Sequence, residues 1–304
     1  MKLLGYLNLT GVLTCETGLL IGGNDSFGIG GIDKAMIRQS FQGNRPYLPG
    51  SSLKGKMRNL LEQALKKRIK DGEVHSCNQP ACEVCRIFGA GKTEDVQSLT
   101  RLIVRDAKLI AAKDDAPAQA QSALADYLER VAEYQRQHGS YVEIKTENYI
   151  NRKTGAAVAP RRFERVPAGM KFAVDLVYRV FETDGGQTEN LDLKLFSNVV
   201  HAFDLLRWEY VGASGSRGYG RVNFSDLRLS FTDALSRTEK WGGDFATEEL
   251  IDWLPPDELV SVVNAQTTPP TSPVSGETDE SETQVGEAAA EPEPVIQGEE
   301  SNEG

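Results

Sequence analysis

Six apolar residues, Leu53, Met57, Leu60, Leu61, Ala64 and Leu65, fall at i, i+4, i+7, i+8, i+11 and i+12. That spacing draws one apolar stripe down a helix, and it constrains the chain because the segments around it keep a different period. In Leu3–Thr14, residues Leu3, Leu7, Leu9 and Leu13 share one alternating set, while Tyr6, Asn8, Thr10 and Val12 share the other. A strand presents its two faces in this way. Leu99–Ala111 predicts a second strand, with Leu102 and Val104 on one face and Arg101 and Arg105 toward the opposite one. Met170–Phe181 predicts a third, turning Phe172, Val174, Leu176, Tyr178 and Val180 toward a core. Helical spacing returns over Leu191–Leu206 at Leu195, Val199, Ala202, Phe203 and Leu206, and a last strand runs over Val222–Phe231.

Strand, helix, strand, then strand, helix, strand is the order of a ferredoxin-like (RRM-like) α+β core carrying insertions. Tyr141–Val166 alternates on both sides of Asn151-Arg152-Lys153-Thr154-Gly155 and predicts a β-hairpin with a polar, cationic tip. Ala116–His138 has Leu124, Leu128 and Val131 at helical spacing and predicts an inserted helix. The chain thus divides into one domain, residues 1–255, and a tail, residues 256–304. The tail is rich in Pro, Thr, Ser and Glu and has no aromatic residue. Nothing in it offsets the entropy of ordering, so it is expected to be disordered.

Charge is sorted the same way. Residues 257–304 hold 12 acidic residues and no Lys or Arg, so the formal net charge of −10 becomes +2 for the residues before them. The acidic pI near 5.0 is therefore a property of the tail. The rest is mildly basic with clustered cations, which admits nucleic acid as a partner. No run approaches the ~20 apolar residues that span a bilayer. MKLLGYLNLT lacks a signal-peptide core and cleavage site, so the expected location is the cytoplasm, with no membrane partner.

Residues 22–61 concentrate the chemistry. A glycine-rich loop runs into Gly31-Ile32-Asp33-Lys34, and Pro49-Gly50-Ser51-Ser52 opens the amphipathic helix. Ser51 or Ser52 is a good N-cap, since a hydroxyl there accepts from the unpaired amides of the first turn. Those amides, two hydroxyls and Lys54, Lys56 and Arg58 make a ready anion site; with no ligand, the same pattern is a solvated helix face. A second glycine-rich loop places Ser214, Ser216, Arg217, Gly218 and Arg221 between a helix and a strand. Glycines let its amides approach phosphate, and the arginines add charge. It is neither G-x-x-x-x-G-K-[ST] nor a strand-to-helix Rossmann turn. His75, Cys77, Cys82 and Cys85 offer four ligands of the kind zinc takes in a tetrahedral site. With every position filled by protein, such a metal is structural. Cys15 lies outside this pattern.

Together these motifs resemble the backbone subunit of type III-A (Csm) CRISPR effector complexes, a family within the RAMP superfamily of CRISPR RNA-binding proteins. The likeness is carried by Gly31–Arg38 with the glycine loop before it and by RPYLPGSSLKGKMR at 45–58. It continues through RLIVRDA at 101–107, EIKTENYINRKTGAA at 143–157 and GASGSRGYG at 212–220, and it spans residues 1–231. It implies a subunit that polymerises along CRISPR RNA beside other type III effector subunits. Such a subunit holds target single-stranded RNA opposite the guide and cuts it at regular spacing. Asp33 is then the catalytic residue, working with Mg²⁺ or another divalent cation. Ser51, Ser52, Lys54, Lys56, Arg58, Arg152, Ser214, Ser216, Arg217, Gly218 and Arg221 are then the RNA-binding residues. The hairpin is the family's thumb, which crosses the guide–target duplex and forces a nucleotide out of the stack. Residues 72–92 become an insertion holding structural Zn²⁺.

The sequence departs from that pattern at three places. Leu20 stands where the family often has a histidine, so Asp33 gains no protonatable partner from that position. Asn151 stands where aspartate is common, and Ala116–His138 is longer than the family's connection. Two other functions fit the same residues: a non-cutting RNA-binding scaffold, and an endonuclease that matures CRISPR RNA. Against the second, no histidine lies near Asp33 or the 212–221 loop in sequence, and metal-independent cleavage needs a general acid or base.

Overall fold

The computed structural model describes residues 2–22, 32–69, 72–77, 79, 81–90, 99–182, 190–247, 249 and 253–267. The glycine-rich loop before Ile32, parts of the 72–92 segment and the tail from residue 268 lie outside these.

Strand β1 (Leu3–Cys15) is central, pairing antiparallel with β8 (Lys171–Phe181) on one side and β9 (Val222–Asp233) on the other. Register decides which side chains share a face. Leu7, Leu9 and Leu13 stand across from Tyr178, Leu176 and Phe172 in β8, and from Phe231, Leu229 and Phe224 in β9. All of these are buried, at ~1.5–3 kcal/mol for each large apolar side chain removed from water. The residues between them make a more polar second face: Asn8 and Thr10 meet Val177 and Asp175 on one side and Ser230 and Arg228 on the other. Beyond β9 the sheet continues into β10 (Glu239–Phe245). Beyond β8 it continues through β5 (Ala107–Leu109) and β3 (Arg45–Leu48) to β2 (Arg38–Gln39), with β4 (Leu102–Val104) also on β8. Every pairing between these strands is antiparallel.

Helices α1 (Gly50–Ala64) and α4 (Leu191–Trp208) pack side by side. The predicted stripe of α1 is buried at Leu53, Met57, Leu60 and Leu61. On α4, Phe203 meets Phe224 of β9 at 3.8 Å between ring centres, and Phe196 meets Tyr178 of β8 at 5.3 Å. Both rings belong to the apolar face of the sheet. The hairpin forms a separate two-stranded sheet, β6 (Glu143–Ile150) and β7 (Ala157–Arg165). At its tip Asn151 Oδ1 accepts from the amides of Lys153 and Thr154.

Five expectations change. The N-cap of α1 is Pro49, with no side-chain cap from either serine. The first amide, of Gly50, instead donates to Asp106 Oδ1 at 2.8 Å. A Cβ on Gly50 would lie 2.1 Å from the Val104 carbonyl oxygen, so only glycine fits that approach. The Leu99–Ala111 strand breaks at Arg105–Asp106 into β4 and β5, since Asp106 leaves the ladder to cap α1. Arg101, expected toward the opposite face, is fully buried, with Nε 3.1 Å from Asp192 Oδ2; Arg86 Nε lies 2.6 Å from the other oxygen. A buried charge needs such pairing. The Ala116–His138 helix is shorter: α3 begins at Ala125 and ends at His138, after two 3₁₀ turns. Finally, residues 257–264, expected to be disordered, form α5 (Asp257–Asn264), which buries Leu259 and Val263. The compact unit therefore runs to residue 268 rather than 255.

Candidate functional site

Asp33 sits at the root of the hairpin. Its amide donates to the Arg162 carbonyl at 2.8 Å, and its Oδ2 accepts from the Arg162 amide at 2.7 Å. The segment that follows runs along β7. The Glu164 amide donates to the Lys34 carbonyl at 3.0 Å, and Glu164 Oε2 accepts from the Met36 amide at 3.2 Å and pairs with Arg38 Nη2 at 2.7 Å. Asp33 thus takes a seat on the hairpin. Asp33 is exposed, and among the described residues its Oδ1 has no hydrogen-bond partner. Leu20 is buried with Phe163 and Tyr219 in a small apolar cluster. A proton carrier at that position is replaced by packing.

The 212–221 loop reaches the same root. Ser214 and Gly218 take left-handed backbone (φ 62° and 83°), and Gly215 lies flat against Tyr210, whose ring would be 1.9 Å from an added Cβ. Tyr219 is buried, its Oη donating to Glu147 Oε1 at 2.5 Å. Lys145 Nζ and the Arg165 guanidinium lie 4.6 and 5.1 Å from its ring centre, a cation–π arrangement. The Tyr219 hydroxyl holds the Glu147 carboxyl below its ordinary range, while burial first and Glu147 second push Tyr219 up to about 12. Arg217 donates to Ser214 Oγ at 2.9 Å and lies 3.6 Å from Glu147 Oε2; Arg221 Nε lies 2.6 Å from Glu16. Ser216, Arg217, Gly218 and Arg221 are exposed, as is Arg152 at the hairpin tip.

Helix α1 contributes unequally. Lys56 Nζ lies 3.9 Å above the Tyr210 ring and 3.4 Å from Glu209, which sets it beside the glycine loop. Ser51 is exposed and Ser52 half-buried. Lys54 donates to the Leu102 carbonyl at 2.8 Å, and burial lowers its pKa, with Arg58 and Arg179 adding to the effect. Arg58 faces elsewhere. Its Nε lies 2.8 Å from Glu62 and its Nη2 donates to the His75 carbonyl at 2.6 Å, so its guanidinium is committed to the metal loop. Its expected RNA contact is not supported by this geometry.

The ligand atoms of His75, Cys77, Cys82 and Cys85 all lie within 4.8 Å of one another, and this cluster could hold a metal ion. Cys77 Sγ and Cys85 Sγ are 3.9 Å apart, and Cys82 Sγ is 3.5 Å from His75 Nε2. Tetrahedral zinc with Zn–S ~2.3 Å would set neighbouring sulfurs ~3.8 Å apart, so the donor set fits. His75 Nδ1 lies 2.9 Å from the Arg68 carbonyl, which leaves Nε2 to face the thiols. Cys82 and Cys85 come from the N-cap and first turns of α2 (Glu83–Phe88). Cys15 takes no part; burial in β1 pushes its thiol up to about 12.

Sequence reasoning overlooked the acceptors: Glu62, Asp106, Glu147 and Glu164, and with them Tyr219. Glu62 had a signal, lying four residues after Arg58 on one helix. Glu147 and Tyr219 lay inside recognised motifs without a role.

An antiparallel sheet with two helices on one face, and an exposed carboxylate and a glycine loop at the root of a hairpin, define an α+β protein whose polar site is built between insertions. The RAMP superfamily profile matches residues 12–223, and the chain belongs to that superfamily. It is 36% identical over 236 residues to the CRISPR system Cms endoribonuclease Csm3 of Methanocaldococcus jannaschii, covering 75% of this chain and 82% of that one. It is 36% identical over 232 residues to the protein of the same name from Mycobacterium tuberculosis, covering 73% and 87%. For that from Streptococcus thermophilus the figures are 37% over 221 residues, 71% and 85%. A chain of the Csm3–Csm4 subcomplex of the type III-A CRISPR-Cas interference complex is 27% identical with a TM-score of 0.48, covering 83% of this chain and 95% of that one.

Proposed function

We propose that this chain is the RNA-cleaving backbone subunit of a type III CRISPR ribonucleoprotein. It binds CRISPR RNA along the guide's backbone and cuts complementary target RNA at regular spacing. The observation that carries this reading is the double hydrogen bond of Asp33 to Arg162, which fixes an exposed carboxylate at the root of a cationic hairpin. The strand order β9-β1-β8-β4, with α1 and α4 as the crossovers, supports a ferredoxin-like core. On it residues 141–166 serve as the thumb and 72–92 as a zinc-binding insertion. The partners are CRISPR RNA, single-stranded target RNA, further copies along the guide and other type III effector subunits. The working compartment is the cytoplasm, where thiols stay reduced.

Guide phosphates are held by Ser51, Ser52, Lys56 and the 214–221 loop through charge and amide contacts, without reading bases. The reaction is in-line attack by the target's own 2′-hydroxyl. The 2′-oxygen bonds to phosphorus as the bond to the 5′-oxygen breaks; the leaving oxygen takes a proton from water, giving a 2′,3′-cyclic phosphate and a 5′-hydroxyl. Tethering of the nucleophile supplies much of the rate once the thumb has bent the backbone into line. Asp33 Oδ1 takes the hydroxyl proton, or would serve as a ligand to a divalent cation. One carboxylate plus substrate oxygens is a donor set that suits Mg²⁺, which would neutralise charge on the phosphate. Zinc at His75, Cys77, Cys82 and Cys85 is structural.

Leu20 favours one second reading, a scaffold that binds without cutting, because no proton carrier accompanies Asp33 there. The assembled ribonucleoprotein, given labelled target or labelled precursor RNA with and without EDTA, separates the readings. The proposal expects evenly spaced target cuts that EDTA abolishes and an intact precursor. An uncut target means a scaffold; precursor cut in EDTA means a maturation enzyme.

A further inference from the structure

A buried ion pair, Arg58 with Glu62, lies between α1 and the metal cluster. Glu62 is 2% exposed, yet its Oε1 takes two donors: Arg58 Nε at 2.8 Å and the His75 amide at 3.1 Å. Arg58 Nη2 donates in turn to the His75 carbonyl at 2.6 Å. One ion pair thus grips both main-chain groups of a single residue. Arg68 holds that residue's Nδ1 at 2.9 Å, and Nε2 is left 3.5 Å from Cys82 Sγ.

An i,i+4 pair on a wet helix face contributes little, and a buried one is often no more stabilising than apolar residues of the same volume. What a buried pair supplies is direction. Its hydrogen bonds are fixed, and here they converge on one metal ligand. We propose that Glu62 and Arg58 are positioning residues of the metal centre, setting His75 so that Nε2 faces the three thiols. This rests on the metal reading above. It also gives α1 two jobs along its length: Lys56 stands beside the glycine loop, and one turn later the helix carries the seat of the metal loop.

The test uses the full chain with zinc, and with cobalt(II) as a spectroscopic probe. The unmutated protein should bind one zinc per chain. Glu62→Gln keeps an acceptor for the His75 amide but leaves Arg58 without its charge partner. Its zinc affinity, read by competition with a chromophoric chelator, should fall ~10–100-fold, as for other residues that orient metal ligands. The cobalt absorption bands should shift with it. The double variant Arg58→Met/Glu62→Gln leaves no buried charge, so it should fold and still show the loss. Leu259→Ala, a cavity under α5, should lower the melting temperature without changing zinc affinity. A double variant with unaltered zinc affinity and cobalt spectrum overturns the positioning role and leaves the metal centre standing. A wild-type chain that binds no zinc overturns both.

Discussion

Asp33 is tied to Arg162 by its amide as well as its carboxylate, so the carboxylate moves with the strand that would bend the target. Asp33→Asn retains an oxygen for the Arg162 amide and removes the charge. Target RNA should bind as before while cutting falls by the ~10²-fold or more that a general base supplies. A target with a 2′-deoxy sugar at the scissile position should resist the unmutated protein as strongly. Normal cutting by Asp33→Asn would leave Asp33 structural and put the group that cuts elsewhere. Glu147 makes a different prediction. The Tyr219 hydroxyl holds its pKa below the ordinary value of 4.5, and a group depressed on folding contributes stability that is present above its unfolded pKa. That stability is lost as pH falls through the folded value. Denaturant unfolding should show Glu147→Gln less stable than wild type by ~1 kcal/mol at pH 7, the scale of one hydrogen bond to a charged group with part exposure. The gap should close as pH drops below 4.5. A gap independent of pH would mean the charge on Glu147 plays no part in holding the hairpin to the glycine loop.

Between elements, the cations offered to RNA are already held by carboxylates: Lys56 by Glu209, Arg217 by Glu147, Arg221 by Glu16. Phosphate must exchange with these acceptors, so such contacts are electrostatic and salt-sensitive. Lys56→Ala with Arg217→Ala should weaken RNA binding about equally for unrelated sequences and lower the salt slope by ~1.4, at ~0.7 per lost single-strand contact. Arg58→Ala should leave the slope unchanged, because its guanidinium is spent on Glu62 and His75. A sequence-selective loss in the first pair, or a reduced slope in Arg58→Ala, would reverse these assignments. Arg58 also shows where reading a sequence stops. The stripe of α1, the alternation of β1 and β8 and the hairpin around Asn151 were legible because each is a local period, written in residues a few positions apart. The cap of α1 was not, since its acceptor, Asp106, lies 56 residues from Gly50. The three lysine and arginine positions of α1 look alike as a charge pattern. What distinguishes them is a carbonyl at 102, a ring at 210 and a carbonyl at 75, all supplied by other segments.

At the scale of the whole molecule, composition hid a boundary. Residues 256–304 read as one acidic, entropy-dominated tail because the average over that length is polar, yet Leu259 and Val263 form a short stripe of their own on α5. Both are fully buried, and Trp253, just before them, sets its ring edge-on to Phe196 at 5.0 Å. This separates two truncations that the sequence treats as one. A chain ending at residue 268 loses only residues beyond the compact unit; it should melt like the full chain and bind RNA within a few-fold of it. A large gain in affinity at low salt that vanishes at high salt would instead show the acidic residues competing with RNA. A chain ending at residue 255 also loses α5. Two buried side chains at ~1.5–3 kcal/mol each amount to ~3–6 kcal/mol, against a total stability of roughly 5–15 kcal/mol for a domain. At about 2–4 °C per kcal/mol for a domain of this size, the shorter chain should melt ~6–24 °C below the longer one in parallel calorimetric scans. If the two melt together, α5 adds nothing to the core and the domain ends at Pro255.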